Sequence, residues 1–213
     1  MKFYDYCIWD FNGTILDDVD LGVYSVNALM EKNDLKCVLS REKYRERFGF
    51  PIIDYYKELG FDFEKTPYDD LAEEWVDIYM ENIFRAKLFP DLIKTLEFFK
   101  SHGVLQSILS ASENKMLNGQ VEGLGISSYF EDIMGIENIY GDSKLSIARR
   151  WRQKHPHDKV VFIGDTTHDI ETASVLGADC FIVCAGHQCK DKFAQYDVKV
   201  FDSLSEVVDF LAD

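Results

Sequence analysis

Short apolar runs alternate with helical patterns along most of the chain. The three clearest runs, at residues 7–9, 104–109 and 159–164, have the unbroken apolar character of strands that are buried on both faces of a parallel sheet. Weaker strands are predicted at residues 130–136, 180–184 and 198–201. Helices are predicted between the strands, at residues 90–102, 114–124, 144–153 (with Ser143 as N-cap), 168–176 and 205–211. This alternation predicts an α/β fold whose parallel sheet is covered by helices on both sides.

One long interval, residues 17–87, lacks strand-like alternation and carries only helical patterns. After a first helix, a second is predicted to begin at Ser40, a residue type that caps helix N-termini well. Two further helices are predicted around residues 52–59 and 67–84. The segment is therefore predicted to be an inserted helical bundle. The predicted division is a core of residues 1–16 plus 88–213 and an insertion of residues 17–87.

Composition limits the functions that the chain can have. With 213 residues, 46% of them hydrophobic, the chain can form one large domain or a domain with an insertion. The net charge of −15 disfavours nucleic-acid binding and requires a local positive site for any anionic substrate. The N-terminal apolar run is too short for a targeting segment or a membrane span. Five cysteines without CxxC pairs are expected to be free thiols in a reducing cytoplasm.

Polar side chains end the three clearest strands. Asp10, Ser110 and Asp165 follow these strands directly, and the carboxyl ends of parallel strands meet at the edge of a sheet where ligands bind. Asp169 lies one helical turn beyond Asp165. Such carboxylates repel one another unless a cation or a proton intervenes, and Mg²⁺ prefers carboxylate and phosphate oxygens. Lys144, just before its predicted helix, supplies a charge that offsets an acid and a phosphate.

The segment after the second clear strand is predicted to bind a phosphate group. Ser110 supplies a hydroxyl group there. The backbone N–H groups of Ala111 and Ser112 are expected to open a helix, whose N-terminus favours anions. Ser110 is also a residue type that commonly caps a helix, so it has two possible roles.

Four stretches resemble, in order, the motifs of the haloacid dehalogenase-like phosphatase superfamily: DFNGT at residues 10–14, Ser110, Lys144, and GDTTHD at residues 164–169. LSASENK, at residues 109–115, resembles the phosphoglycolate phosphatase and phosphoglucomutase branch, and the helical insertion resembles that family's cap. The resemblance implies a Rossmann-like core with a helical cap. It also implies Mg²⁺-dependent, phosphoglycolate phosphatase-like hydrolysis of a small phosphorylated metabolite through an aspartyl-phosphate.

The resemblance further implies a role for each matched residue. Asp10 is the expected nucleophile. The expected Mg²⁺ ligands are the carboxylates of Asp10 and Asp165 and the backbone carbonyl of Asn12. Ser110 and the amide of Ala111 are expected to hold the phosphoryl group.

Other matched residues have supporting roles in the resemblance. Lys144 is expected to neutralise charge between nucleophile and substrate. Thr14 and Asp169 are expected to support the site, with Asp169 orienting outer groups rather than binding Mg²⁺ directly. In the cap, Glu46 and Arg47 are candidates for contact with the leaving group, and a solvated helix face explains them equally well.

The sequence departs from the family pattern at Asn12. Most phosphatases of the family carry aspartate here, which protonates the leaving group and later activates water. An amide does not exchange a proton near neutral pH, and losing a general acid–base typically costs about 10²–10⁴-fold in rate. Three interpretations stay open: a hydrolase for good leaving groups, a hydrolase whose cap supplies the acid, or a catalytically weak phosphate-ligand-binding or regulatory protein. An asparagine introduced in place of a natural aspartate would give the same sequence.

Three other branches of this fold fit the sequence less well. Haloacid dehalogenases use no Mg²⁺ and lack the acidic fourth motif, which is intact here as GDTTHD. Phosphonoacetaldehyde hydrolases need a lysine in the cap, and residues 44–55 contain none. Phosphoryl-transferring mutases keep the second aspartate.

Several further residues are given no chemistry. His168, at a helix start, is expected on the surface, and His187 shows no ligand spacing. The acids at residues 17, 18 and 20 are expected to line the hinge of the insertion. Four aromatic residues are expected in the core of the bundle rather than in contact with a substrate: Tyr55, Tyr56, Trp75 and Tyr79.

Overall fold

The computed structural model describes residues 4–36, 38–137 and 144–213. The predicted free thiol of Cys37 and the predicted N-cap Ser143 lie outside the described residues. The strands are β1 (Tyr6–Trp9), β2 (Leu16–Asp17), β3 (Lys87–Leu88), β4 (Leu105–Glu113), β5 (Asp132–Ile136), β6 (Val160–Gly164), β7 (Asp179–Val183) and β8 (Lys199–Phe201).

The helices agree closely with the intervals that the sequence predicts. They are α1 (Val19–Lys32), α2 (Arg41–Arg47), α3 (Ile52–Leu59), α4 (Tyr68–Glu81), α5 (Leu92–Ser101), α6 (Asn114–Gly123), α7 (Leu145–Lys154), α8 (Thr167–Leu176) and α9 (Leu204–Ala212). No helix among these described residues is both long and apolar enough to cross a membrane.

Six strands form one parallel sheet in the order β5–β4–β1–β6–β7–β8. β1 lies between β4 and β6 in this sheet. Its apolar residues 7–9 are fully buried, as expected for a strand with helices on both faces. Trp9 pairs with Ile108 on one side and Ile163 on the other. The three clearest predicted strands are therefore neighbours, and their carboxyl ends lie side by side. This sheet confirms the predicted α/β fold class.

The predicted inserted segment is helical, with α1 to α4 lying between β1 and β4. Buried side chains of these helices form a hydrophobic cluster of their own, separate from the clusters that cover the sheet. Ser40 caps α2 by accepting a hydrogen bond from the backbone N–H of Lys43. The short antiparallel pair β2–β3 lies where the segment leaves and rejoins the core. The predicted boundaries fall in this pair, and the division into two domains stays a prediction.

One local prediction is wrong. The backbone N–H groups of Ala111 and Ser112 do not open a helix, because β4 continues to Glu113 and α6 begins at Asn114. The Glu113 carboxylate caps α6 by accepting from the backbone N–H groups of Lys115 and Met116, and Ser110 is not the cap. A two-oxygen acceptor placed directly before the helix satisfies more unpaired N–H groups than a distant serine hydroxyl.

Candidate active site

Three carboxylates meet at the carboxyl edge of the sheet. Asp10 follows β1, Asp165 follows β6, and Asp169 lies in the first turn of α8. All three are buried, and one carboxylate oxygen from each lies within 4.8 Å of the others. Burial raises the pKa of Asp165 to about 6 against the opposing charge of His187, and the charge of Asp169 adds to the rise. Burial also raises the pKa of Asp10 well above its ordinary value, against the opposing charge of Lys144.

Lys144 joins two of these carboxylates. Its Nζ atom lies 2.5 Å from Oδ1 of Asp10 and 2.6 Å from Oδ1 of Asp169. Burial alone would lower the pKa of Lys144, but the two carboxylates outweigh it and raise this pKa, so the group stays charged. The residue sits directly before α7, as its predicted position before a helix requires. The structure thus brings together the acidic and basic residues that the sequence singles out.

The Asp165 carboxylate is held in a close backbone cradle. Its Oδ1 accepts from the Thr14 hydroxyl at 3.0 Å, and its Oδ2 accepts from the backbone N–H of His187 at 2.6 Å. A Cβ atom at Gly13, whose φ of +75° is left-handed, would lie 2.3 Å from Asp165 Oδ2, and one at Gly186 would lie 2.2 Å away. Only glycine permits the backbone to approach this carboxylate so closely.

The Asp169 carboxylate is already fully engaged. Its Oδ1 pairs with Lys144, and its Oδ2 accepts from the backbone N–H groups of Asp165 and Thr166 at 3.0 and 2.8 Å. The charge and hydrogen bonds of Lys144 and Thr166 outweigh burial and hold the pKa of Asp169 below its ordinary value. Asp169 is therefore ionised and fixes the loop that carries Asp165.

The phosphate-binding candidates lie beside this cluster. Ser110 and Ala111 line the same cavity as Asp10 and Lys144. The pairing of β4 with β5 shifts register between Leu109 and Glu113, so the segment does not follow a regular ladder. The Ser110 hydroxyl accepts from the backbone N–H of Ser112 at 3.1 Å. The segment is therefore an irregular end of strand β4 rather than a helix start.

The sequence profile of the family described as haloacid dehalogenase-like hydrolase matches residues 7–183. The chain belongs to this family. The match runs from β1 to β7 and therefore includes every motif that carries the resemblance.

Relatives of known name are similar along most of the chain. A phosphoglycolate phosphatase of Vibrio parahaemolyticus is 25% identical over 96% of this chain and 94% of its own length. One from Aquifex aeolicus is 26% identical over 84% of each chain. The crystal structure of a "predicted phosphatase" from Clostridium acetobutylicum shares the fold, with a TM-score of 0.81 over 99% of both chains at 19% identity. The predicted likeness to the phosphoglycolate phosphatase-like branch of the haloacid dehalogenase-like hydrolases is confirmed.

Asn12, the departure from the family pattern, is held by three side chains. Its Oδ1 accepts from the Ser112 hydroxyl at 2.8 Å. Its Nδ2 donates to Asp18 Oδ2 at 2.8 Å and to the Tyr79 hydroxyl at 2.9 Å. Because a carboxylate only accepts, the contact with Asp18 fits an amide at residue 12 better than an ionised acid.

Asp18 and His187 complete this network, and the sequence prediction missed both. Asp18 Oδ1 accepts from the backbone N–H of Gly13 at 2.8 Å and pairs with His187 Nε2 at 3.1 Å. Burial would raise the pKa of Asp18, but the charge of His187 and hydrogen bonds from three side chains lower it. Asp18 thus stays ionised. The only available signal for His187 is its place in the loop that follows β7, at the same sheet edge.

The Asp18–His187 pair predicts a pH-dependent stability. Burial alone would lower the pKa of His187, but the charge and hydrogen bond of Asp18 and the charge of Asp165 raise it from 6.5 to about 9. The stabilisation is fully present below pH 6.5 and is lost as the pH rises through about 9. The free energy of unfolding should fall by about 3 kcal/mol over this window. Urea denaturation in EDTA at pH 6.5 and 9 measures the fall.

Two substitutions provide the comparison for this prediction. His187→Gln should be less stable than the natural protein at pH 6.5 and should show a smaller fall toward pH 9. His157→Gln, at an exposed histidine, should follow the natural protein at both values. An equal fall in His187→Gln and in the natural protein would contradict the assignment.

A cavity of about 170 Å³ lies over Asp10, between the sheet edge and helices α2 to α4. Its lining includes the four aromatic residues predicted for the bundle core: Tyr55, Tyr56, Trp75 and Tyr79. Tyr55 and Tyr56 belong to the bundle's hydrophobic cluster, and Trp75 packs against that cluster and stacks on Tyr79. These residues therefore pack in the bundle, as predicted, and also face the cavity. Tyr79 in addition donates to Asp18 at 2.8 Å.

His168 is buried, which contradicts its predicted surface position. The ring of Phe50 stacks on it, with centroids 4.7 Å apart, and the backbone N–H of Lys144 lies 3.4 Å from its Nε2. Phe50 of the inserted segment covers the start of α8, so the position of His168 at a helix start did not predict its exposure. Burial and the charge of Lys144 lower the pKa of His168.

Glu46 and Arg47, the candidate leaving-group contacts, do not line the cavity over Asp10. Glu46 instead pairs with Lys43 at 2.6 Å on the exposed surface. The neighbouring Arg45 points to the core and donates to the backbone carbonyls of Cys184, Gly186 and Gln188. Arg45, two positions before Arg47, is thus the arginine that joins α2 to the loop after β7.

Proposed function

We propose that the protein is a Mg²⁺-dependent phosphatase that hydrolyses a small phosphate monoester through an aspartyl-phosphate on Asp10. One observation carries the proposal: three buried carboxylates share the sheet edge with the single ammonium group of Lys144. The excess negative charge calls for a cation, and the curated relatives are named phosphoglycolate phosphatases.

The donor set fits Mg²⁺. The carboxylates of Asp10 and Asp165 and the backbone carbonyl of Asn12 are oxygen ligands of the kind that this ion takes, together with waters and substrate oxygens. Asp169 supports them from outside, since both of its oxygens already accept hydrogen bonds or pair with Lys144. When bound, the ion would offset negative charge on the transferring phosphoryl group.

Asp10 supplies the attacking oxygen. A bond forms from its carboxylate to phosphorus while the bond to the leaving oxygen breaks, and water then hydrolyses the aspartyl-phosphate. Lys144 fixes the orientation of Asp10 through Oδ1 and holds positive charge beside the reacting groups. The Ser110 hydroxyl and the Ala111 amide hold the phosphoryl oxygens.

The second candidate is a binding or regulatory protein that turns over slowly. It is favoured by Asn12, whose amide does not ionise near neutral pH and so gives no general acid, and by Asp18, whose pKa is lowered so that it stays ionised. Neither residue then supplies a proton to a leaving group. This candidate predicts metal and phosphate binding with little release of product.

Phosphate release with and without metal tests the two candidates. We expect acetyl phosphate and p-nitrophenyl phosphate, which have good leaving groups, to be hydrolysed with Mg²⁺, and EDTA to reduce the rate by about 10²-fold or more. Magnesium binding is measured separately by calorimetry. Turnover that survives EDTA would contradict the metal-dependent mechanism, while magnesium binding without turnover would favour the binding protein.

A further inference from the structure

The cavity over Asp10 is comparable in volume to a cavity that binds one aromatic ring. Its volume is about 170 Å³, and an engineered cavity of about 150 Å³ in another protein binds benzene. The cavity begins at Asp10 and Ser110, where the phosphoryl group is expected, and extends toward α3 and α4. A leaving group attached to that phosphoryl group would therefore occupy it.

Aromatic side chains form the walls of this space. The ring of Trp75 stacks on Tyr79 with centroids 5.0 Å apart, and the rings of Phe48 and Tyr55 meet edge to face at 5.4 Å. Phe50 stacks on His168 across the boundary between cap and core. Rings held by other rings present fixed apolar faces and edges, which suit an aromatic guest.

The walls offer no free cationic partner for a negatively charged leaving group. Among the described residues that line the cavity, Lys144 is the one lysine or arginine, and its ammonium lies between Asp10 and Asp169. The Asp18 carboxylate and the His187 ring also line the space, and they already pair with each other at 3.1 Å. A substrate carboxylate placed there would be desolvated, would lack a free cationic partner and would face an acid, which is unfavourable.

The amide at Asn12 restricts the leaving group in a second, independent way. Without a proton donor, the leaving oxygen departs as an anion and takes the electron pair of the broken P–O bond. A phenol has a pKa of about 10, whereas an aliphatic alcohol is about as weak an acid as water and has a far higher pKa. A phenolate therefore leaves unassisted far more readily and then takes a proton from water.

We propose that the natural substrate is an aryl phosphate, a phosphate monoester of an uncharged aromatic alcohol. This inference rests on the proposed phosphatase function and adds the chemical class of its substrate. The phosphoryl group passes from the aryl oxygen to Asp10 and then to water. The products are the phenol and inorganic phosphate.

Two non-hydrolysable ligands test the cavity apart from catalysis. Benzylphosphonate matches phenyl phosphate in shape, and 3-phosphonopropionate matches phosphoglycolate. With Mg²⁺ present, calorimetry should show benzylphosphonate binding about tenfold or more tightly. Equal binding, or tighter binding of 3-phosphonopropionate, would overturn the inference.

Substitution of one wall tests the same point. Trp75→Leu should weaken benzylphosphonate binding about tenfold relative to 3-phosphonopropionate, because the stacked ring is lost while the half-buried site stays apolar. Phe84→Leu, at a ring that is 74% exposed, should leave this ratio unchanged. A ratio that does not move in Trp75→Leu would count against an aromatic guest in this cavity.

Turnover of two aromatic substrates tests the leaving group. Phenyl phosphate should have a kcat about 10²-fold or more above that of benzyl phosphate, whose alkoxide leaves poorly. If acetyl phosphate is hydrolysed with Mg²⁺ and phenyl phosphate is not, the aryl inference fails while the phosphatase function stands. If no phosphate is released from any of them, both proposals fail.

Discussion

Replacing Asn12 with aspartate should raise the hydrolysis of alkyl phosphates such as benzyl phosphate by about 10²–10⁴-fold, the typical effect of a general acid–base. The gain for phenyl phosphate should be much smaller, because its leaving group departs without a proton. Initial rates of phosphate release from both esters measure the contrast. The ratio of the two gains identifies proton donation as the missing function.

Asp18 shapes the outcome of this substitution. An aspartate at residue 12 would face Asp18 Oδ2 at about the distance of the present hydrogen bond, 2.8 Å. Two carboxyl groups this close share a proton, and one of them keeps it to higher pH. The variant should therefore hold a proton for the leaving oxygen, and its kcat should fall as the pH rises through the pKa of the pair.

Two further variants separate proton donation from repulsion. Asn12→Ala should show no gain with either ester. The double variant Asn12→Asp with Asp18→Asn exchanges the amide and the carboxylate. The amide at residue 18 would then donate the hydrogen bond to the carboxylate at residue 12. This variant should gain activity even if repulsion from Asp18 disables the single variant. No gain in either aspartate variant would mean that the cap supplies the acid or that the protein acts by binding.

Replacing Asp10 with asparagine should abolish turnover, with a loss of about 10⁴-fold or more, since losing a covalent nucleophile removes the pathway itself. The amide has nearly the same shape as the carboxylate, and Lys144 keeps its pairing with Asp169 at 2.6 Å. The fold should therefore survive. Phosphate release and the far-ultraviolet circular dichroism spectrum measure activity and folding together.

A chemical trap distinguishes a nucleophile from a residue that only positions the substrate. Borohydride added during turnover should convert residue 10 of the natural enzyme to homoserine, detected by peptide mass spectrometry. Asp10→Asn should show no such product. Asp209→Asn, at an exposed acid on α9, should keep both activity and the homoserine product. Trapping at another acid would contradict the role of Asp10.

The sequence was a good guide wherever local pattern and sheet topology decide the structure. The short apolar runs that precede Asp10 and Asp165 form strands because a parallel sheet covered by helices buries both faces of such a run. The sheet then brings the ends of these strands together. Lys144 reaches the same edge from the start of α7. The helical character of the inserted segment follows equally from its missing alternation.

The features that the sequence did not reveal depend on tertiary contact. Asp18 and His187 are 169 positions apart, and each is an ordinary polar residue until burial makes the pair matter. His168 is buried by Phe50 from the inserted segment. The start of α6 was predicted too early, directly after Ser110, because Glu113, three residues later, is the better cap.

The three hydrogen bonds of Arg45 have a mechanical consequence. One guanidinium group ties α2 to the loop that carries Gly186 and His187, and that loop in turn grips the Asp165 carboxylate. Any outward swing of α2 must break these bonds together or pull the loop with it. Entry of substrate by movement of α2 would thus be coupled to the alignment of the metal-ligand candidate Asp165 through Arg45 and through Tyr44, whose hydroxyl lies 2.9 Å from His187 Nδ1.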